Sequence, residues 1–262
     1  MTADAGMAAI LRQLRHRGGP AFDCYKGTCL ARRIGVRMRA RKIDSLAGYA
    51  GLLARDEQEV GRLLRTLSVG VTGFFRNRDT WNRLREVLPA APPDSTELQS
   101  GWSMGCSSGE EAWSLAMVLL SRSGCTARVV GSDLDERALA TARAGRYPAS
   151  AAETIAEVMG SSWGSVTGNR FEVKPEVHDR VEFRCEDLTG TLVLPDRHDI
   201  VCCRNLLIFL GPEGQRRVIA HAIRALRPGG LLVLGRTESL PASQTGDFEP
   251  VDSFHRIYRR TR

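Results

Sequence analysis

The residues best suited to chemistry in this 262-residue chain form a short loop of small side chains that ends in two carboxylates. The loop, residues 105–111, reads Gly-Cys-Ser-Ser-Gly-Glu-Glu and lies between an apolar run and a helix-like pattern. Glycines in such a turn permit positive φ and let a ligand approach the backbone. A pyrophosphate prefers the positive end of a helix, and two carboxylates there would repel it. The loop therefore favours a ligand with a cationic amine, such as S-adenosylmethionine, over a dinucleotide.

The two glutamates of this loop also have a simpler explanation. Acidic residues in the first turn of a helix stabilise it through the helix macrodipole. That explanation accounts for Glu110 more readily than for Glu111. We therefore take Glu111 as the candidate for binding an amine, with Gly105 and Ser107 as loop positions that line the ligand.

Acidic residues also end two of the predicted strands. Asp133 closes a short apolar run, 128–133, and a carboxylate at the end of the second strand can accept two hydrogen bonds from a ribose diol. Asp187 and Leu188 follow the alternating run 181–185, where an acid can contact an adenine edge. A capping role for Asp187 is an equally good interpretation of that position.

A basic and an amide side chain follow the most strongly apolar strand pattern. Arg204 and Asn205 come directly after residues 199–203. In an open α/β sheet, the carboxyl end of a central strand faces the ligand crevice. We therefore expect both side chains to belong to a site rather than to the outer surface.

These candidates require an alternating α/β domain to position them. Residues 6–90 read as helical, and strand and helix patterns alternate from residue 101 onward. Residues 147–178 break that alternation and indicate an inserted segment. Later, Arg-Pro-Gly-Gly at 227–230 predicts a turn, and two short runs within 248–258 predict a terminal hairpin.

One helical segment carries charge of a single sign. No acidic residue occurs from Cys24 through Ile43, while Arg33, Arg37 and Arg41 recur every four residues. Such a run is often only a solvated helix face. A run without acidic partners at i,i+4 nevertheless destabilises its own helix, so docking of an acidic partner is the competing hypothesis.

Composition excludes several classes of protein. Net charge is +7, which allows an acidic partner without requiring nucleic acid. The seven cysteines show no Cys-x-x-Cys spacing and the five histidines are scattered, so we expect free thiols and no metal site. No apolar run reaches the length of a membrane span, and we expect no membrane insertion and a cytoplasmic location.

The order of these segments resembles the CheR-type chemotaxis receptor methyltransferases over nearly the whole chain. That resemblance implies a Rossmann-like α/β S-adenosylmethionine domain (91–262) with an inserted antiparallel β-subdomain (147–178), preceded by an all-helical domain (1–90). The matching motifs are Val-Thr-Gly-Phe-Phe-Arg (71–76), the loop 105–111, Ser-Asp-Leu-Asp (132–135), Cys-Arg-Asn-Leu-Leu-Ile-Phe (203–209) and Leu-Arg-Pro-Gly-Gly (226–230).

The resemblance implies a role for each matching residue. Thr72 and Arg76 would reach over the cofactor from the helical domain. Arg204 and Asn205 would line the junction where the cofactor meets the methyl acceptor. The contacts to the methionine amine, the ribose and the adenine would come, in that order, from Glu111, from Asp133, and from Asp187 with Leu188.

The implied activity is methyl transfer to glutamate side chains of receptor signalling helices, with S-adenosylhomocysteine as the second product. An acceptor carboxylate is already ionised at pH 7, so no strong general base is needed. Catalysis then reduces to aligning the carboxylate with the methyl group and excluding water. Arg76 or Arg204 could hold the carboxylate in a bidentate grip. An acidic helical receptor segment could dock on the basic helix 26–42.

Two positions depart from the family pattern. Phe209 stands where the family usually carries Tyr, so the catalytic candidate there lacks a hydroxyl, and Gly70 stands where Asn is common. These departures leave the acceptor open: a receptor glutamate, or a small-molecule carboxylate, amine or hydroxyl. A third hypothesis is a non-enzymatic module that binds the cofactor or its product as a signal.

Overall fold

A computed structural model describes residues 3–17, 22–67, 72–88, 98–122, 126–160, 162–192 and 197–262. Gly70, one of the two departures noted above, lies outside these residues. By its contacts the chain divides into two compact units. We call Met1–Val69 with Phe209–Gln215 the helical unit, and Gly70–Ile208 with Arg216–Arg262 the α/β unit.

The described part of the helical unit contains the helices α1 (Ala3–His16), α2 (Gly27–Ala40), α3 (Leu46–Arg55) and α4 (Glu57–Leu67). The helix α3 begins at a regular cap, because the Ser45 hydroxyl accepts a hydrogen bond from the Gly48 N–H at 3.1 Å. Apolar residues at helical spacing meet in one core, which includes Ile10, Leu14, Leu30, Ile34, Tyr49, Leu53 and Leu63.

A short segment from late in the chain belongs to the helical unit. Tyr25 and Leu210 form an antiparallel bridge, and the Lys26 N–H donates to the Phe209 carbonyl at 2.9 Å. The Gly211 N–H in turn donates to the Cys24 carbonyl at 2.8 Å. Phe209 is therefore held by backbone bonds to residues that lead into α2.

The remaining helices are α5 (Arg78–Val87), α6 (Glu110–Leu120), α7 (Glu136–Ala144), α8 (Ser150–Met159), α9 (Pro175–His178) and α10 (Pro212–Ala225). The strands are β1 (Leu98–Met104), β2 (Thr126–Asp133), β3 (Arg146–Pro148), β4 (Gly164–Thr167), β5 (Arg170–Val173), β6 (Val181–Cys185), β7 (His198–Cys203), β8 (Leu226–Leu234), β9 (Phe248–Asp252) and β10 (Ile257–Arg260).

The main sheet has the order β6-β2-β1-β7-β8-β10-β9. The first five of these strands run parallel, and β10 lies antiparallel between β8 and β9. The chain order reverses between β1 and β7, which is the point where open α/β sheets bind ligands at their carboxyl edge. The predicted Rossmann-like fold class and the terminal hairpin are confirmed.

The helix α5 packs into the α/β unit. Trp81 and Leu84 on α5 belong to the same buried core as Trp113 and Met117 on α6. The helical pattern of the sequence predicts a helical domain that extends to residue 90. A helical pattern shows that a face is buried but not which partner covers it, and here the contacts divide the chain between Val69 and Gly70.

The inserted segment forms a separate three-stranded antiparallel sheet, β3-β5-β4. It is tied to α6 by a buried bond from the Trp113 indole N–H to the Tyr147 hydroxyl, 2.8 Å long. That hydroxyl donates onward to the Ser108 carbonyl at 2.6 Å. The inserted sheet is thereby connected to the loop between β1 and α6.

The predicted turn at 227–230 is wrong. The strand β8 continues through these residues from Leu226, and the register with β7 shifts between His198 and Ile200. Four residues on β8 then face one on β7, and Gly229 takes φ +79° to accommodate them. Pro-Gly-Gly here marks a bulge inside a strand rather than the end of one.

Candidate functional site

The loop between β1 and α6 has an unusual backbone. Gly105, Ser107 and Gly109 all have positive φ, at 72°, 51° and 94°. A Cβ on Gly109 would lie 2.6 Å from the Ala142 Cβ, which explains this glycine by close packing on α7 rather than by ligand approach. Gly105 has only ordinary contacts around its Cβ position, so its φ is what requires glycine there.

Asp133, at the carboxyl end of β2, holds this loop. Its Oδ2 accepts the Ser107 N–H at 2.8 Å, and its Oδ1 accepts the Asp135 N–H at 2.9 Å. Burial raises the pKa of the Asp133 carboxyl, and the backbone hydrogen bonds oppose that shift. Each carboxylate oxygen can accept more than one hydrogen bond, so Asp133 retains capacity for two hydroxyl donors.

Glu110 and Glu111 differ in their surroundings. The Glu111 carboxylate accepts the Ser103 hydroxyl at 2.8 Å and forms an ion pair with Arg204 at 3.3 Å. Glu110 accepts a hydrogen bond from the Ser108 hydroxyl at 2.7 Å. Burial raises the pKa of both carboxyls, and at Glu111 the charge of Arg204 works against the shift.

Arg204, at the end of β7, is the most connected side chain of the site. It is 6% exposed. Besides Glu111, its guanidinium donates to the Arg76 carbonyl at 2.7 Å and to the Asn77 Oδ1 at 3.1 Å. It also lies over the Trp81 ring, 5.4 Å from the centroid. Its Nε is buried without a hydrogen-bond partner among the described residues.

The segment from Thr72 to Asn77 is held by its backbone. Phe75 and Asn77 have positive φ, at 50° and 60°, and the Phe75 N–H donates to the Ser114 hydroxyl at 3.0 Å. The Arg76 carbonyl accepts a second bond from the Trp81 indole at 3.2 Å. Thr72 is half-buried, and the Arg76 side chain is exposed. Such strained backbone is typical of functional loops.

The loop after β7 lies against the loop between β1 and α6. Asn205 has φ +59°, and a Cβ on Gly105 would lie 3.4 Å from the Leu206 side chain. The Asn205 N–H donates to Glu238 at 2.8 Å. Glu238 is not among the residues predicted from the sequence, where its one available signal is a carboxylate shortly after the apolar strand β8.

The ends of β1, β2 and β7 thus lie together with the segment 72–77. Six of the predicted site residues meet in this region. These are Arg76, Gly105, Ser107, Glu111, Arg204 and Asn205, with Asp133 bonded directly to the same loop.

Two further predicted residues have local partners. The Asp187 Oδ1 accepts both the backbone N–H and the hydroxyl of Thr189, at 2.9 and 2.7 Å, as in a capping turn. Leu188 is buried, and His221 lies 3.2 Å from its carbonyl oxygen. One oxygen of Asp187 therefore serves the turn, which was the alternative interpretation of this residue.

The contacts of Phe209 are with residues of the helical unit. It belongs to the helical unit, where the Arg33 guanidinium lies 5.0 Å from its ring centroid. Arg33 also donates to the carbonyls of Thr66 and Leu67 at the end of α4. The described contacts of Phe209 are therefore those within the helical unit.

The basic helix α2 has acidic partners that its own sequence does not show. Arg37 forms a bidentate pair with Glu59 on α4, at 3.0 and 2.8 Å, and Arg41 pairs with Asp56 at 3.2 Å. The arginines at spacing four are thus bound within the helical unit. Arg32 and Arg39 are exposed on α2, and Val36 between them is 45% exposed.

No group of three or more possible metal ligands occurs in the described ranges, and none of the helices described there is long and apolar enough to cross a membrane. What the site does offer is a buried pair of opposite charges, Glu111 and Arg204, close to a carboxylate with open acceptor capacity. Such a set matches a ligand that carries an amine, a carboxylate and a diol.

Comparison with known proteins decides the family. Residues 5–68 match the all-alpha domain of the CheR methyltransferases, and residues 70–257 match their SAM-binding domain. The chain belongs to the CheR methyltransferase family. The predicted enzyme class and cofactor are confirmed: this CheR-family protein is an S-adenosylmethionine-dependent methyltransferase.

Its relatives among known proteins are moderately similar. A chemotaxis protein methyltransferase of Listeria monocytogenes is 31% identical over 82% of this chain and 83% of its own length. Chemotaxis protein methyltransferase 1 of Pseudomonas aeruginosa is 33% identical over 85% of each chain. An uncharacterized 104.1 kDa protein of Rhodobacter capsulatus is 31% identical over 98% of this CheR-family chain, which spans only 28% of that protein.

Proposed function

We propose that this protein transfers the methyl group of S-adenosylmethionine to glutamate side-chain carboxylates of a chemoreceptor-like protein in the cytoplasm. The observation that carries the proposal is the match of both CheR domains, together with relatives named chemotaxis protein methyltransferases. The alternative, a small-molecule acceptor, finds no support among those names.

The described residues fit this cofactor. The buried Glu111–Arg204 pair is complementary to a methionine zwitterion, with the carboxylate toward the ammonium group and the guanidinium toward the carboxylate. The unpartnered Arg204 Nε is a buried donor that such a carboxylate would satisfy. Asp133 would bind the ribose hydroxyls, and Asp187 with Leu188 would contact the adenine.

The remaining cofactor contacts would come from Thr72, Gly105, Ser107 and Asn205. When bound, S-adenosylmethionine supplies a methyl group on a positively charged sulfur. The protein has to hold an ionised carboxylate in line with that methyl group and to keep water away. No residue needs to remove a proton, because the acceptor carboxylate is ionised at neutral pH.

The contacts of the two arginines suggest different roles for them. Arg204 is buried and donates to Glu111, to the Arg76 carbonyl and to Asn77, so it would act on the geometry of the site. Arg76 has an exposed side chain on a fixed backbone, because Arg204 and Trp81 both donate to its carbonyl. Arg76 is therefore the better candidate for orienting the acceptor carboxylate, and substitution by alanine should lower turnover more than cofactor affinity.

For the receptor, we favour the exposed part of α2 as the docking surface. Arg33 and Arg37 are occupied within the helical unit, so their substitution by glutamate would disturb folding as well as binding. Arg32 and Arg39 are exposed, and Val36 between them adds apolar area. Arg32→Glu with Arg39→Glu should raise the KM for an acidic receptor segment and leave the KM for S-adenosylmethionine unchanged. Equal KM for the receptor would exclude this surface.

The test of the proposed function is an acceptor assay with methyl-labelled S-adenosylmethionine. The substrates are a receptor signalling fragment and the same fragment with its acceptor glutamates changed to alanine. Base-labile label on the first fragment alone is the expected result, because a glutamate methyl ester is hydrolysed by base. Label on a metabolite with none on the fragment would contradict the proposal.

The assignment of the ribose site has its own test. Asp133→Ala should weaken S-adenosylmethionine binding about ten-fold or more, because two hydroxyl bonds to a charged acceptor are lost. Titration calorimetry with S-adenosylmethionine and S-adenosylhomocysteine measures this directly. Wild-type affinity in the variant would mean that the diol binds elsewhere.

A further inference from the structure

Glu238 has a buried carboxylate to which the family resemblance gave no role. The residue follows β8 and is 2% exposed. The partners that the structure gives its oxygens are three backbone N–H groups. A carboxylate is costly to bury, and one that is satisfied by amides fixes the position of every amide that it binds.

The three amides come from two parts of the chain. The Oε2 atom accepts the Asn205 N–H at 2.8 Å and the Gly235 N–H at 2.7 Å, and the Oε1 atom accepts the Ile208 N–H at 3.2 Å. Glu238 therefore joins the end of β8 to two points on the loop after β7. We call this arrangement the glutamate clasp.

Gly235 is shaped to allow the clasp. A Cβ at Gly235 would lie 2.5 Å from the Glu238 Oε2 and 2.9 Å from the Asn205 backbone nitrogen. Neither atom can move away without breaking the hydrogen bond between them. The absence of a side chain at this position thus permits the carboxylate and the loop to approach the strand end.

The clasp acts on residues that the proposed function uses. Asn205 has φ +59°, a conformation that costs free energy and persists only where other bonds enforce it. Leu206 follows it and lies against Gly105 of the loop between β1 and α6. Arg204 immediately precedes it. The carboxylate of Glu238 therefore fixes the backbone of Asn205, a predicted cofactor residue, relative to that loop.

We propose that Glu238 is a positioning residue. It supports cofactor binding indirectly, because it holds the Asn205 backbone in its left-handed conformation. The proposal rests on the proposed function, in which Asn205 contacts S-adenosylmethionine. It predicts that the effect of Glu238 on binding passes through Asn205 and disappears when the Asn205 side chain is removed.

The experiment is a double-mutant cycle on cofactor affinity, measured by calorimetry on the full chain. Glu238→Gln retains one oxygen acceptor and so preserves most of the fold. We expect it to weaken S-adenosylmethionine binding about ten-fold, as loss of a hydrogen bond to a charged group does. Asn205→Ala should have a similar effect, and the double variant should bind no more weakly than Asn205→Ala alone.

Two comparisons make the result decisive. Glu249→Gln changes an exposed glutamate on β9, which β10 separates from β8, and should bind like wild type. Gly235→Ala attacks the same clasp from the strand side and should weaken binding as Glu238→Gln does.

Three outcomes would overturn the proposal. Additive losses in the cycle would mean that Glu238 does not act through Asn205. A lower melting temperature with unchanged affinity in Glu238→Gln and Gly235→Ala would make the clasp purely structural. In both of these cases, binding of S-adenosylmethionine by the wild-type protein would still support the proposed function. A wild-type protein that binds neither S-adenosylmethionine nor S-adenosylhomocysteine would remove both proposals together.

Discussion

Two buried glutamates, each beside an arginine, show how a structural ion pair differs from a site. Glu59 in the helical unit is 0% exposed and is bound by Arg37 through two hydrogen bonds and by the Tyr49 hydroxyl at 2.8 Å. Although burial acts to raise it, these bonds hold the pKa of the Glu59 carboxyl below its ordinary value. The charge there is fully satisfied.

Glu111 in the α/β unit is the opposite case. It has one contact with Arg204 at 3.3 Å and one hydrogen bond from Ser103, and burial raises the pKa of its carboxyl. An ionised carboxylate left with spare capacity in a buried place costs free energy that a bound cation can recover. The comparison teaches that an incompletely satisfied pair is the one able to bind a ligand.

The largest effect should come from breaking both pairs on the arginine side. Arg204→Ala should abolish measurable turnover and lower the free energy of unfolding by about 3–5 kcal/mol, because Glu111 is left as a buried, unpaired charge. Arg37→Ala should also lower stability, for the same reason at Glu59, and keep its turnover below the melting temperature. Steady-state kinetics and thermal unfolding of both variants measure the contrast. Equal loss of turnover in Arg204→Ala and Arg37→Ala would contradict the distinction between a binding pair and a structural pair.

Removing the carboxylate charges should separate binding from stability. Glu111→Gln should weaken S-adenosylmethionine binding about ten- to a hundred-fold with no loss of stability, because the charge is unfavourable until an amine binds. Glu59→Gln should leave affinity unchanged and cost about 1–3 kcal/mol of stability. Calorimetry and denaturant unfolding measure the two quantities. Unchanged affinity in Glu111→Gln would show that the amine binds elsewhere.

The two carboxyls should also respond to pH in opposite directions. The Glu59 pKa is lowered by folding, so its stabilisation is present above the unfolded value of about 4.3 and is lost as pH falls through the folded value. The Glu111 pKa is raised, so its contribution is full below the unfolded value and is lost as pH rises through the folded one.

Cofactor binding should therefore weaken on acidification at a pH above the ordinary range of glutamate, because protonated Glu111 no longer attracts an ammonium group. Calorimetric titrations at successive pH values between neutrality and that range measure this midpoint. Glu111→Gln should remove it, whereas Glu59→Gln should keep it. A midpoint that persists in Glu111→Gln would belong to another group, such as Asp133.

The smallest effect should come from Phe209, whose ring contacts Arg33 in the helical unit. Phe209→Tyr should remain active and change turnover by less than about ten-fold, because the ring beneath Arg33 is kept and only a hydroxyl is added. Turnover on a receptor fragment measures this. Complete loss of activity would mean that the surroundings of Phe209 exclude a hydroxyl.

Much of the α/β unit could be predicted from the sequence because its signals are local. The strand β6 was predicted at its observed bounds, Val181–Cys185, and the glycine-containing loop 105–109 leads into α6 at Glu110, where the carboxylates indicated a helix start. Arg204 and Asn205 could be predicted as site candidates because residues that directly follow a central strand of such a sheet lie at the edge where ligands bind.

The parts that could not be predicted depend on partners distant in sequence. Glu59 neutralises Arg37 from the next but one helix, so α2 viewed alone seemed to lack any acidic partner. Glu238 binds Asn205 from beyond a whole helix and strand. The bulge in β8 requires knowledge of its register with β7. Such pairings arise from the tertiary fold and leave no periodic signal.

The two successive hydrogen bonds from Trp113 to Tyr147 and from Tyr147 to the Ser108 carbonyl limit how the inserted subdomain can be re-engineered. Tyr147 lies on β3, the first strand of the insertion, yet its hydroxyl supports the loop that precedes α6. A chimaera that exchanges the insertion for that of another family member must therefore supply a tyrosine at this position. A deletion that begins at Arg146 would remove a support of the loop between β1 and α6 along with the inserted sheet.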